Sequence, residues 1–329
     1  MHLFGMPPYF CARIKNRRVE AKLSFSSSDQ TRCQICRSAC LKIYIPPGGF
    51  HRKKSRGIMQ MLSHARPWDA SALEGAQTYE RTERMYFMEL IKHRVTHYWS
   101  HRAEAFETQR LREYDSEKRE RWLEEFRRYL PQGKPLHILD VGTGTGFFAC
   151  LLSAEGHDAT GIDLTPDMIV HAEHMASVLG LDVRFLLMDA ENPQFDAESF
   201  DVLVTRNLTW TLPHIAKAYR EWYRLLKPGG ILINFDADYS AELENVEEHE
   251  LPENHAHKLV PDYMKEENDA ITMEVGAYHG PRPQWDVQLL IEAGFERVTV
   301  DMGVYKRIYA EIDEFFNPTP IFTVAAYKQ

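Results

Sequence analysis

Two carboxylates on either side of a glycine loop are the residues of this chain best placed to hold a small polar ligand. Asp140 ends the apolar run Ile138-Leu139 and opens a loop reading Asp140-Val-Gly142-Thr143-Gly144-Thr-Gly146, and Asp163 follows a second short run, Ala159 to Ile162. Glycine at alternate positions lets the backbone turn sharply and lets a ligand approach where a Cβ would intrude. The apolar helix expected from Phe147 adds unpaired N–H groups. An acid at the tip of the second strand, seventeen positions after Gly146, is placed to accept hydrogen bonds from a ribose diol. A nicotinamide-type loop would space its glycines G-x-G-x-x-G around a pyrophosphate, but position 147 is Phe. Asp140 would repel a pyrophosphate and attract an ammonium.

On this D-x-G-x-G-x-G loop the chain resembles the class I S-adenosylmethionine-dependent methyltransferases, in particular the type 11 methyltransferase-domain group. Met188-Asp189-Ala190, the turn Leu226-Lys227-Pro228-Gly229-Gly230 and the stretch from Tyr98 to Phe106, YWSHRAEAF, extend the likeness, which covers roughly residues 85–329. The resemblance implies S-adenosyl-L-methionine as cofactor. It assigns Asp140, Gly142, Thr143, Gly144 and Gly146 to the methionine end, Asp163 with Leu164 to the ribose, and Asp189 with the adjoining Ala190 to the adenine. Asp189 is alternatively a turn cap. Tyr98 is expected against the cationic sulfonium and Trp99 toward the acceptor, or both are core packing of an amphipathic helix.

Ligands bind at the carboxyl ends of strands in open parallel sheets, which turns Arg206, Asn207 and Trp210 toward the cleft. Arg206 falls at the cofactor end, Asn207 and Trp210 at the acceptor. Asp236 is the candidate base for an acceptor proton, unless it and Asp238 are solvated turn residues. Arg282, with Tyr278, His279 and Trp285 in AYHGPRPQWD, is a candidate for holding a planar or anionic acceptor. The resulting expectation is methyl transfer to a small molecule, with the atom methylated left open. The alternatives are an NAD(P)-dependent oxidoreductase and a non-catalytic nucleotide-cofactor-binding protein.

The formal charge of −9 over 329 residues hides a break in composition. Residues 1–66 hold 13 Lys and Arg against 2 Asp and Glu, leaving 26 against 46 in the remainder. An acidic remainder disfavours phosphate contacts, so no nucleic-acid partner is expected. No apolar run is long enough to span a bilayer, and the single cysteine outside the basic segment, Cys150, suits a reduced cytoplasmic setting. The basic segment itself, with SFSSS and PPGG, reads as loop. Its Cys11, Cys33, Cys36 and Cys40 suggest zinc, and its Arg- and Ser-rich character suggests a transit peptide. The favoured reading is an extension from an upstream start, with Met59 or Met61 as the natural one. No metal site is expected at His93, His97 and His101, nor at His249, His255 and His257.

These residues need a scaffold of three layers, α/β/α, with a Rossmann-like seven-stranded sheet in the order 3-2-1-4-5-7-6. The order and the antiparallel last strand are implied by the resemblance. Residues 67–134 form a helical cap, 135–329 the methyltransferase domain, and 241–283 an acidic insert on the substrate side. Strands are expected at 138–141, 159–162, 182–187, 200–204, 231–239, 298–304 and 321–326.

Overall fold

The computed structural model describes residues 10–15, 18–23, 40–43, 70–242, 250–255, 258–276 and 279–329, with side chains described from residue 86 onward. The chain divides into two compact units, Met1–Phe87 and Met88–Gln329.

In the first unit β1 (Phe10–Lys15) pairs antiparallel with β2 (Arg18–Leu23) and with β3 (Cys40–Ile43), in the order β2-β1-β3. The segment lacks a long periodic pattern. Even so, β2 alternates Arg, Glu and Lys with Val, Ala and Leu, a period of two that fits a strand. Cys11 lies in β1 and Cys40 in β3, while Cys33, Cys36, Met59 and Met61 fall outside the described residues.

The second unit carries the sheet that positions the loop. Its strands are β4 (His137–Val141), β5 (Asp158–Asp163), β6 (Arg184–Leu187), β7 (Phe200–Arg206), β8 (Leu226–Ala237), β9 (Arg297–Asp301) and β10 (Ile321–Tyr327). They lie in the order β6-β5-β4-β7-β8-β10-β9, which is the expected 3-2-1-4-5-7-6. The pairs β4·β5, β4·β7, β5·β6 and β7·β8 are parallel, and β10 runs antiparallel to both its neighbours. Five helices matter for the site: α1 (Ala70–Tyr114), α2 (Lys118–Arg127), α3 (Phe147–Ala154), α4 (Pro166–Leu179) and α5 (Ile215–Leu225). Further on come the short α6 (Tyr239–Glu242), α7 (Asp262–Gly276) and α8 (Gln284–Ala293). The acidic insert is thus partly helical. No helix among the described residues is long and apolar enough to cross a membrane.

Strand β4 is central, and all of it except His137 is buried, as a parallel strand covered on both faces must be. Alternation divides its side chains between two cores. Ile138 joins Trp122 and Phe126 of α2, Phe148 of α3 and Met175 of α4. Leu139 and Val141 join Tyr219 and Trp222 of α5 and Leu290 of α8. On the first face the Phe148 ring centroid lies 5.0 Å from Trp122, 4.8 Å from Phe126 and 5.7 Å from Phe235, all edge-to-face. Edge-to-face aromatic packing adds to plain area burial. Phe148 therefore joins α2, α3 and β8. Replacing it with Ala should cost about 3–5 kcal/mol in urea unfolding; a loss below about 1 kcal/mol would show that this cluster does not hold the layers together.

Candidate active site

The glycine loop is fixed by the two acids that flank it. Asp163 Oδ2 accepts from the Gly144 N–H at 3.0 Å and its Oδ1 from the Thr165 N–H at 2.8 Å. Asp140 Oδ2 accepts from the Thr143 hydroxyl at 2.6 Å and the Ala149 N–H at 3.1 Å. Gly142 and Gly146 have φ of +67° and +88°. A Cβ at Gly142 would fall 2.6 Å from the Leu208 side chain, and one at Gly146 2.8 Å from Phe185. Both positions therefore need glycine for conformation and for space. Burial pushes Asp140 up to about 7, and burial also raises Asp163, against the hydrogen bonds from Thr165 and Gly144.

One cleft gathers most of the expected residues. Asp140, Gly142, Thr143 and Gly144 line it from the loop, and Asp163 and Leu164 from the end of β5. Asp189 and Ala190 line it after β6, Arg206 and Asn207 after β7, and Trp99 from α1. Gly146 sits behind the loop against Phe185 and Ala172.

Four expected contacts fall elsewhere. Asp236 is fully buried: its Oδ2 accepts from the Thr209 N–H (2.8 Å), the Trp210 N–H (3.3 Å) and the Thr209 hydroxyl, and its Oδ1 from the Ala237 N–H (2.8 Å). With Arg282 Nη2 at 3.5 Å as well, the carboxylate is held by internal partners away from the cleft lining, which corrects the expectation of a base facing an acceptor. Arg282 is likewise internal. Its Nε and Nη2 each donate to Asp286 at 2.9 Å and its Nη1 to the Ala237 carbonyl at 3.1 Å, so it braces α8 against β8 and holds no acceptor. Trp210 donates to the Asn207 carbonyl at 2.9 Å and packs on Tyr239, propping the loop from behind. Tyr98 is buried beside Trp99, and the aromatic lining that α1 gives the cleft comes from Trp99 and Phe106, whose rings lie 5.4 Å apart.

Among the cleft residues not singled out from the sequence are Lys92, Phe106 and Arg110, all on α1. Arg110 stacks on Phe106, with its guanidinium carbon 4.3 Å from the ring centroid. It also pairs with the buried Glu113, whose Oε1 accepts from Arg206 Nη2 at 3.0 Å and from Trp122 Nε1 at 2.9 Å. Burial alone would raise Glu113, but Arg110 and Arg206 outweigh it and hold the carboxyl at about 2. Two guanidiniums share one carboxylate here, leaving a positive excess beside the cleft. The clue in the sequence was Arg110 and Glu113 one turn apart, a spacing indistinguishable from a solvated helix face.

Described histidines of the two groups contact backbone carbonyls. His101 Nδ1 contacts the His97 carbonyl at 2.8 Å and His255 Nε2 the Phe316 carbonyl at 2.7 Å; His249, His257 and Tyr278 lie outside the described residues. Among the described residues no cluster could hold a metal ion.

Residues 139–234 match the family described as a methyltransferase domain. The demethylmenaquinone methyltransferase of Thermus thermophilus is 39% identical over 101 residues, covering 30% of this chain and 46% of that protein. The phthiotriol/phenolphthiotriol dimycocerosates methyltransferase of Mycobacterium leprae is 39% identical over 101 residues, covering 30% and 37%. A solved S-adenosylmethionine-dependent methyltransferase of Thermotoga maritima aligns at 19% identity over 71% of this chain and 99% of that one, with a TM-score of 0.46. The chain spans less than half the length of the two sequence relatives. Over residues 139–234 the chain is similar to methyltransferase domains, and S-adenosyl-L-methionine is the cofactor that this similarity implies.

The cleft fits that cofactor. Asn207 Oδ1 is buried without a donor on a residue with φ of +53°, an acceptor suited to an ammonium. A pyrophosphate fits poorly, because three of the loop's N–H groups already have internal partners: Thr143 on Ile162, Gly144 on Asp163 and Gly146 on Thr143.

Asp140 yields a test of its burial. An aspartate in the unfolded chain ionises near its ordinary 3.8, while the folded one holds its proton to about 7. Between those values the unfolded chain carries fewer protons, so this group's contribution to stability is complete below about pH 4 and lost as pH rises through 7. Asp140→Asn should therefore gain on the wild type in urea unfolding between pH 5 and pH 8. An equal difference at both pH values would contradict the account.

Proposed function

We propose that this protein is an S-adenosylmethionine-dependent methyltransferase that acts on a small-molecule acceptor. The observation that carries the reading is the convergence on one cleft of the D-x-G-x-G-x-G loop and the acids at the ends of β4, β5 and β6. In this reading Asp163 takes the ribose diol, since two intramolecular hydrogen bonds leave lone pairs on its carboxylate. Asp189 and Ala190 read the adenine edge. Asn207 and Asp140 receive the ammonium, and Arg110, with the positive excess of its cluster, receives the carboxylate of the methionine end. Trp99 and Phe106 face the sulfonium, where an aromatic face contributes about 0.5–2 kcal/mol.

The bound cofactor supplies an activated methyl group. What the chain adds is alignment of donor and acceptor, a term that reaches about 7–11 kcal/mol in well-oriented reactions. Asp236 belongs to the scaffold in this scheme: it anchors the Thr209–Thr211 turn and so places Thr211 and Leu212 in the cleft wall. With Leu208, Leu212 and Pro213 beside Trp99, the wall suits an acceptor with an apolar or planar body and one polar end near Asn207. The two sequence relatives, named as methyltransferases of demethylmenaquinone and of phthiotriol/phenolphthiotriol dimycocerosates, support a small-molecule acceptor. Residues 67–134 then act as the cap, 135–329 as the methyltransferase domain and 241–283 as the substrate-side insert, with 1–66 outside the reaction. A cytoplasmic setting without nucleic-acid partners completes the reading, supported by the buried free thiol of Cys150 and by the acidic composition after residue 66.

The test combines methyl-labelled S-adenosylmethionine with a cell metabolite extract, using the full chain. Label should appear in a small molecule, and Asp163→Ala should weaken S-adenosylhomocysteine binding at least tenfold by calorimetry. Label confined to macromolecules would overturn the acceptor class. Heat with NAD(P) and none with either sulfur nucleoside would overturn the whole reading.

A further inference from the structure

The ammonium of Lys92, on the cap helix α1, lies 2.8 Å from Asp189 Oδ2 and 2.6 Å from Glu191 Oε2. This is not a solvent-washed surface pair, because the Lys92 side chain is 13% exposed and that of Glu191 0%. Burial opposes the charged amine, yet the two carboxylates outweigh it and hold Lys92 above its usual value. The partners are themselves tied down. The Glu191 N–H donates to Asp189 Oδ1 at 2.8 Å, and Glu191 Oε1 accepts from the His214 N–H at 2.6 Å. His214 directly precedes α5 and directly follows Leu212 and Pro213 of the cleft wall. One ammonium therefore joins the cap helix, the loop after β6 and the start of α5.

We infer that Lys92 is a positioning residue for cofactor binding: it fixes the Asp189 carboxylate in the orientation that accepts the adenine amino group, and makes that orientation depend on α1. The inference rests on the assignment of adenine to Asp189. Each Asp189 oxygen already has its own donor, the Glu191 N–H on Oδ1 and Lys92 on Oδ2. A carboxylate torsion is broad and roughly two-fold when nothing holds it. With both oxygens held, the lone pairs that remain point in set directions. Removing Lys92 frees one oxygen and leaves the buried Glu191 without its cation, so the adenine side and the cap loosen together.

The experiment is a calorimetric double-mutant cycle with S-adenosylhomocysteine on the full chain. Lys92→Met should weaken binding about tenfold, the size expected for losing a charge-assisted hydrogen bond. Lys92→Arg should restore it to within about threefold of wild type. Added to Asp189→Asn, Lys92→Met should cost less than about twofold more, because it acts through Asp189; a purely structural lysine would cost the same in both backgrounds. Lys92→Met with Glu191→Gln leaves no unpaired buried charge, and it carries the same test should the single variant fail to fold. Wild-type affinity in Lys92→Met or in that double variant, or full additivity with Asp189→Asn, overturns the inference. An Asp189→Asn protein that binds like wild type would instead sink the adenine assignment beneath it.

Discussion

A loop with glycine at every other position has few side chains with which to hold its own shape, so much of its conformation must be imposed from outside. Here two carboxylates impose it. Asp163 grips the Gly144 and Thr165 N–H groups, and Asp140 grips the Thr143 hydroxyl and the Ala149 N–H. Both acids pay for this in burial, and the negative field of Asp163 adds to the proton-retaining environment of Asp140. A cation in the cleft relieves that strain on both. The same interactions therefore rigidify the loop and prepare it for a positively charged ligand.

Helix α1 is fastened in a different way, by charged and hydrogen-bonding side chains spread along it. Lys92 reaches Asp189 and Glu191, and Arg94 reaches Glu267 and Glu274 on α7. Further along, Glu107 meets His171 and His174 on α4, and Glu113 meets Arg206 at the end of β7. Each fastening lands on a different element of the second unit. The helix is thereby held against the loop after β6, α7, α4 and the end of β7. The buried pairs, Lys92 with Glu191 and Arg206 with Glu113, are screened less than surface ones and keep their strength in salt better than exposed bridges do.

The central sheet was legible because β4 and its loop combine signals that agree: an apolar run, alternate glycines and an acid at each side. The strand order came with the family resemblance, and the structure reproduces it. What was not legible was burial of charge. Asp236 and Arg282 sit at strand and helix ends that topology points toward the cleft, but each finds enough internal partners to turn inward. Arg110 and Glu113 read as an ordinary helical charge pair, since nothing local shows that Trp122 and Arg206 close over them. Choosing Tyr98 over Trp99 for the cofactor had a similar cause. Adjacent aromatics on a helix point about 100° apart, and only tertiary packing decides which one reaches the cleft.

The most direct measurement is a crystal structure of the full chain grown with S-adenosylhomocysteine. The account predicts the ribose hydroxyls on Asp163, the adenine between Asp189 and Ala190, and the amino-acid end beside Asn207 and Arg110. A ligand seated away from the glycine loop, or one with its sugar remote from Asp163, would contradict it.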